Sequence, residues 1–405
     1  MTLLAGVDLN ASRVRAVAGP AKAPPQTVAL EAPMGPELPL ALSLEGRRVA
    51  VGESGIQLCR RLPHLACHKF LPHLGGERQW HAGRHQLNAD QALSHVLKHV
   101  QPALSHAVGL AVVLPSYLTR SQRNLVGELL KQAKLPLLGT VTAPLAAIWA
   151  VRAPRPWHGL AVILDVDDHA LVWTAVAVDA HPAAPEARVV GQRVVPALGL
   201  HAWKERLLDG IADRCIRHSR RDPRATGATE QALYEQLDRA MESSGQGRLV
   251  ELVIQSENWY QDLVLKPGEI VGYSAALVRP ALTELRRLLA AANQPVALVA
   301  ATASAARLPG LLRALHQHSE IRTQQVTLTP GALAQAAHEL AGKWFDGALP
   351  RGPIDTAIPV KPVPRARAQP VRTPSPSQPT RLPPRKGSVE KAVRSEDDFS
   401  VGIDE

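Results

Sequence analysis

Two short apolar runs, each ending at an aspartate and each followed by a second apolar run, constrain this chain more than any other feature. The first is LLAGVDL at 3–9, with VRAVA at 14–18. The second is LAVILDVD at 160–167, with ALVWTAVAVD at 170–179. Runs of this length, bounded by polar residues, read as buried strands, and each pair reads as a hairpin. After the first hairpin, residues 21–40 look irregular, and VAVGE at 49–53 reads as part of a second strand pair. Residues 90–107 then show helical spacing, and 107–150 read strand, helix, strand, helix. After the second hairpin come a strand at VVGQRVVPAL, helices near 203–218 and 229–243, and strands at 249–255 and 261–265. A helix at 274–292, a buried strand at 295–302 and a last helix at 331–345 complete the pattern. Two successive α/β units meeting at a cleft are a nucleotide-binding architecture, and periodicity implies no more than that.

At 405 residues the chain is long enough for two lobes rather than one. Aromatic residues are only 3%, so Leu, Ala and Val carry the packing. The formal charge of +10 invites a nucleic-acid reading, but ten Lys and Arg against two acids lie between Arg351 and Arg394. That concentration points to a tethering or solubilising tail and weighs against nucleic acid as a partner. Three cysteines, Cys59, Cys67 and Cys215, provide no disulfide framework and fit a reducing compartment. The N-terminal apolar run is too short for a signal-peptide core, and no stretch reaches the roughly 18 apolar residues of a membrane span. A cytoplasmic protein without a membrane span is expected. Cys59, His64, Cys67, His68 and His73 cluster, but their spacing meets only half of a zinc-binding pattern, and no metal site is expected. Eleven prolines fall between 350 and 395 with no hydrophobic periodicity, so 346–405 is expected to be a disordered, Pro- and Arg-rich tail with an acidic end, SEDDFSVGIDE.

The order of blocks resembles the nucleotide-binding domain of the 70-kDa heat-shock chaperones, within the actin-like ATPase fold. AGVDLNASR at 5–13 is similar to the first phosphate loop, and CHKFL at 67–71 to the segment with the catalytic lysine. The most specific block is 112–150, where Pro115, Tyr117, Gln122, Arg123, Pro144, Ala146 and Ala147 fall at the family's spacing. LDVDDHALVW at 164–173 sits at the second phosphate loop, LDRAMESSG at 237–245 at the adenine-side helix, and VAATASAARLPG at 299–310 at the adenosine turn. The resemblance covers 3–345 and implies a two-lobed actin-like fold: lobe I about 1–158, lobe II about 159–325 and a closing helix about 329–345. In place of the family's apolar linker and β-rich peptide-binding domain stands the basic Pro-rich segment.

The resemblance also implies ATP with Mg²⁺ in the cleft, its phosphates held by backbone amides of two glycine-rich hairpins. Asp8, Asp165 and, by its position, Lys69 remain from the catalytic set. Around them the pattern departs. Asn10, Ala11 and Ser12 replace Gly-Thr-Thr; Asp167, Asp168 and His169 replace glycines, and Ala170 a threonine; Ala143 replaces the catalytic glutamate. Met241 and Glu242 replace a Lys-Arg pair beside the adenine, and Ala300 and Ala301 replace paired glycines. A carboxylate set against a triphosphate costs on the order of 2–4 kcal/mol per pair at an effective dielectric near 20. The expectation is therefore a non-hydrolysing interaction scaffold with protein partners and no cofactor. The alternative is a residual ATP/ADP-binding protein that switches with its ligand or turns over slowly as a co-chaperone.

Overall fold

The computed structural model describes residues 2–360, apart from 32–34, 152–156, 180–184 and 318–322. Strand β1 (Leu3–Leu9) turns into β2 (Arg13–Pro20), which pairs with the short β3 (Gln26–Thr27) and β4 (Glu37–Pro39). A small sheet of β5 (Ala41–Ser43), β6 (Ala50–Val51) and β7 (Ala66–His68) follows, with the one-turn helix α1 (Glu53–Ile56) between its strands. A hairpin of β8 (Gln79–Ala82) and β9 (His85–Asn88) leads into α2 (Ala89–Leu104), which Asn88 and Gln91 start with a reciprocal capping box. Then come β10 (Gly109–Leu114), α3 (Arg120–Gln132), β11 (Leu137–Thr142) and α4 (Ala143–Ala150).

The second unit opens with β12 (Gly159–Val166), β13 (Leu171–Asp179) and β14 (Glu186–Val195). Helices α5 (Leu200–Ser219) and α6 (Gly227–Gly245), the hairpin of β15 (Val250–Ser256) and β16 (Trp259–Leu265), and the long α7 (Pro267–Ala292) come next. Strand β17 (Val296–Ala301), the short helices α8 (Ala303–Ala306) and α9 (Leu311–His316), β18 (Gln324–Thr327), α10 (Ala332–Phe345) and β19 (Ala357–Pro359) complete the described chain.

Two six-stranded mixed sheets organise this α/β structure. The first runs β11-β10-β1-β2-β3 with β4 also on β2; the second runs β18-β17-β12-β13-β14-β19. Each carries three parallel strands followed by antiparallel ones, in the same sequence-relative order. Strand alternation divides the side chains among three cores. Ala5, Val7 and Leu9 of β1 join the core beneath α2 and α3. Leu160, Val162, Leu164 and Val166 of β12 join the core beneath α5, α6 and α7. The opposite faces, through Leu4, Ala161 and Ile163, meet in a third core built on α4 and α10. Gly6 lies on this inner face, and its lack of a side chain lets α10 approach: a Cβ there would stand 2.1 Å from the Ala334 carbonyl oxygen and 2.3 Å from the His338 nitrogen.

The chain beyond α10 departs from the tail expected from 346 onward. Residues 352–360 form a strap across both sheets. Gly352 N–H donates to Leu138, Ile354 N–H to Thr140, and Thr142 N–H to Ile354, extending the first sheet past β11. Three residues after Ile354, Ala357–Pro359 pairs antiparallel with Glu186–Arg188 of β14. Ile358 is fully buried, and Asp355 meets Arg123 at 3.0 Å. Alternation along the strap is too brief to rise above its prolines, which is why periodicity misses it. The acidic end and the remainder of that segment, 361–405, lie outside the described residues. No helix among the described residues is long and apolar enough to cross a membrane.

Candidate functional site

The alternation that fills the cores also places the two strand-end aspartates. Asp8 follows Leu4 and Gly6 on the inner face of β1, and Asp165 follows Ala161 and Ile163 on the inner face of β12. Both strands run toward the same region, so the hairpins that follow them, 10–12 and 167–170, come into direct contact. Ala11 N–H donates to Asp167 Oδ2 at 3.0 Å, Ser12 Oγ to Asp168 Oδ1 at 3.0 Å, and Asp168 N–H to Ser12 Oγ at 2.8 Å.

Every backbone amide of the two loops is committed within the protein. In the first, Asn10 N–H donates to the Arg13 carbonyl, Ala11 to Asp167, and both Ser12 and Arg13 to the Asn10 side chain at 3.0 and 3.1 Å. In the second, Asp167 N–H donates to the Ala170 carbonyl, Asp168 to Ser12, and His169 and Ala170 to Asp167 Oδ1 at 3.0 Å each. Asp167 thus accepts three backbone amides, and its Oδ2 also accepts the Tyr117 hydroxyl at 2.6 Å. The Tyr117 ring stands edge-on to His169 with centroids 4.9 Å apart. This side chain, only 4% exposed, is held as an anion bound by converging N–H groups would be. A phosphate does not fit the loops as they stand, since each donor it would need already has an acceptor.

The buried carboxylates perturb one another. Burial pushes Asp167 up to about 6 against the hydrogen bonds from Tyr117, Ala11 and Ala170, which pull it down. Burial likewise pushes Asp165 up to about 6, opposed by the Thr302 hydroxyl, which donates to its Oδ1 at 2.9 Å, and assisted by the charge of Asp8. Asp8 is raised by burial and restrained by Arg13 and Arg15. Arg13 crosses from β2 to the second unit, donating to Ser304 Oγ at 2.7 Å and pairing with Glu37 at 3.0 Å. No group of three or more His, Cys, Asp or Glu side chains among the described residues is arranged to hold a metal ion.

The other sequence-predicted positions divide. Lys69 takes the left-handed backbone conformation at φ 56°. Burial draws its amine down to about 8, helped by Arg60 and opposed by Asp168, so it senses the second hairpin. Glu242 is exposed on α6 and accepts from Gln246 at 3.3 Å, while its neighbour Met241 is buried core. Ala300 and Ala301 are strand residues of β17, one facing each core, rather than part of an open turn. These three lie outside the hairpin contact.

Sequence reasoning passed over a set of contacts that join the segment after α1 to α5 and α6. Arg60 N–H donates to Gln231 Oε1 at 2.7 Å, and Gln231 Nε2 donates to the Ile56 carbonyl at 2.9 Å. The Arg60 guanidinium lies 4.6 Å over the Tyr234 ring and pairs with Glu205 and Glu230. Behind it Lys204 meets Asp238 at 2.5 Å, and Asp238 also meets Arg307 at 3.1 Å. Burial opposes charge on Lys204, but Tyr234, Asp238 and Asp168 outweigh it and raise its pKa. None of these residues belongs to a local motif; only the fold joins positions 60 and 231. No protein-family model and no curated protein matches this chain.

Proposed function

We propose that this chain is a diverged relative of the 70-kDa heat-shock chaperones' nucleotide-binding domain, with two actin-like lobes. It serves as a non-hydrolysing interaction scaffold for protein partners in the cytoplasm. The repeated strand order of the two sheets supports the fold assignment. One observation carries the functional reading: the amides of both loops are satisfied internally, with Asp167 in the place of a bound anion. A ligand would have to displace a carboxylate that accepts four hydrogen bonds, and would meet the charge of Asp168 beside it. On this reading the hairpins act as a fixed joint between the lobes, and the closed shape is held without a cofactor.

Thermal unfolding with and without millimolar Mg-ATP or Mg-ADP tests the reading. The expected result is no change in melting temperature and no phosphate release. A ligand present at 100 times its Kd adds about 2.7 kcal/mol of stability. A saturable upward shift without turnover would favour the ligand-switched reading, based on the retained Asp8, Lys69 and Asp165. Phosphate release abolished by Asp8→Ala would favour an ATPase.

A further inference from the structure

Strands β15 and β16 form a two-stranded sheet of their own. The inner face, through Val250, Leu252, Ile254, Leu263 and Leu265, is buried in the core beneath α5, α6 and α7. The outer face alternates with it and sets Val264 opposite Glu251, Asp262 opposite Val253, and Tyr260 opposite Gln255. Three large apolar side chains therefore stand along one diagonal of an open face: Tyr260 is 59% exposed, Val264 55% and Val253 46%.

The two edges of this sheet differ. Along β15, the side-chain amide of Gln236 on α6 donates to the Val253 carbonyl at 2.8 Å and accepts the Val253 N–H at 2.9 Å. It satisfies both groups as a neighbouring strand would. Because Val253 turns its backbone away from β16, Asp262 opposite it turns its own away from β15, and alternation does the same for Tyr260 and Val264. Among the described residues β16 pairs with β15 alone, and no hydrogen bond reaches the outward backbone groups of these three residues. The edge runs from Trp259 to Leu265 with no proline and no break in register to block a further strand.

The side chains of the edge select its occupant. Asp262 stands between Tyr260 and Val264 and accepts the Tyr260 hydroxyl, but it has no ion pair among the described residues. An opposite charge facing it on an added strand is favourable and a like charge destabilising. A second β16 paired antiparallel about its own centre would set Asp262 against Asp262. We propose that the β16 edge binds an extended segment of a partner protein as a third strand, with Lys or Arg against Asp262 and apolar side chains against Tyr260 and Val264. Main-chain hydrogen bonds supply the docking, and alternate side chains the selectivity. The proposal goes beyond the scaffold reading and does not rest on it, since the edge shares no residue with the loops at 10–12 and 167–170.

The test uses the full chain and a fluorescein-labelled peptide with the core Thr-Val-Thr-Lys-Thr-Val-Thr, followed by fluorescence anisotropy. Saturable binding is expected, weaker by about fivefold or more when glutamate replaces the lysine. It should be lost when the peptide's backbone amides are N-methylated, which removes the donors of the added strand. Asp262→Lys, at an exposed site, should reverse the preference between the lysine and glutamate peptides. No saturable change up to millimolar peptide overturns the proposal, as does equal binding of the N-methylated peptide or an unchanged preference in the folded variant. A dimer of the chain alone in sedimentation that Asp262→Lys disrupts would also overturn it, assigning the edge to a second copy. Nucleotide-dependent melting of the same samples reads the two loops separately, so either idea can fail alone.

Discussion

Replacing Gln231 with methionine removes its hydrogen bonds to the segment at 56–60 while keeping the length of the side chain. Gln231 is 5% exposed. Its Oε1 accepts from Arg60 N–H at 2.7 Å, and its Nε2 donates to the Ile56 carbonyl at 2.9 Å and to Glu235 at 2.7 Å. Methionine would leave the Arg60 N–H without its acceptor, while the Ile56 carbonyl keeps the Cys59 N–H at 3.0 Å. An unpaired buried group costs about 1–3 kcal/mol, and the added apolar contact returns about 1 kcal/mol. A net loss of about 1–2 kcal/mol is expected. If these contacts part locally, the loss appears as faster amide exchange in residues 53–68, by roughly 5- to 30-fold. If not, it appears in the global urea midpoint. Hydrogen exchange and urea unfolding at pH 7.5 together capture both outcomes. A folded variant unchanged in both would refute the role given to this residue. On the scaffold reading the variant should show no response to Mg-ADP, because Asp167 continues to hold the loop amides; a clear response would locate the block at the Gln231 contacts instead.

Tyr117→Phe removes a 2.6 Å bond to a buried carboxylate and keeps the ring beside His169, so a loss of about 1.5–3 kcal/mol is expected in urea unfolding, and no loss would refute the network around Asp167. Gly6→Ala should cost more than about 3 kcal/mol and lower the melting temperature by more than about 5 °C, since α10 must lift off β1, whereas Gly268→Ala, with nothing within 4 Å, should be neutral or slightly stabilising. Acidification separates two sets of groups. Burial holds His68 down to about 4 and His201 down to about 3, below the unfolded value near 6.5, so the stability they contribute is present above that value and lost as pH falls through it. Glu205, 3.5 Å from His201, would favour the charged ring, but it is shared with Arg60, so burial and the surrounding cations prevail. Asp165 and Asp167, raised to about 6, act oppositely and favour the folded state as pH falls. Relative to wild type, His68→Gln/His201→Gln should therefore gain about 2 kcal/mol between pH 7 and pH 5, after allowance for partial exposure; parallel pH curves would refute this.

Local pattern made the two hairpins, the long helices and the parallel strands legible. LLAGVDL and LAVILDVD became β1 and β12, and the spacing at 90–107 became α2. The strand expected at 49–53 shrank to Ala50–Val51 because Glu53 begins a helical turn. The substitutions in the loops were also legible, but their effect was not. Electrostatics predicts that Asp167 repels a phosphate; it does not predict that the carboxylate turns inward to take the amide of Ala11. Ala300 and Ala301 illustrate the opposite limit, since a motif spacing aligned them with a turn while their β-pairing with Ile163 and Leu164 puts them inside the sheet. Gln231 and the strap were invisible for one reason: their partners lie about 170 and 200 residues away in sequence, and no local period records such contacts.

The strap has a bearing on how the chain is made. Until residue 360 has left the ribosome, the β11 edge and the β14 edge both present unpaired backbone groups, although all the strands between them have already been synthesised. The nascent protein therefore passes through a long interval in which its two sheets can each form but neither border is covered. Nine residues, 352–360, cover both borders within a single pass.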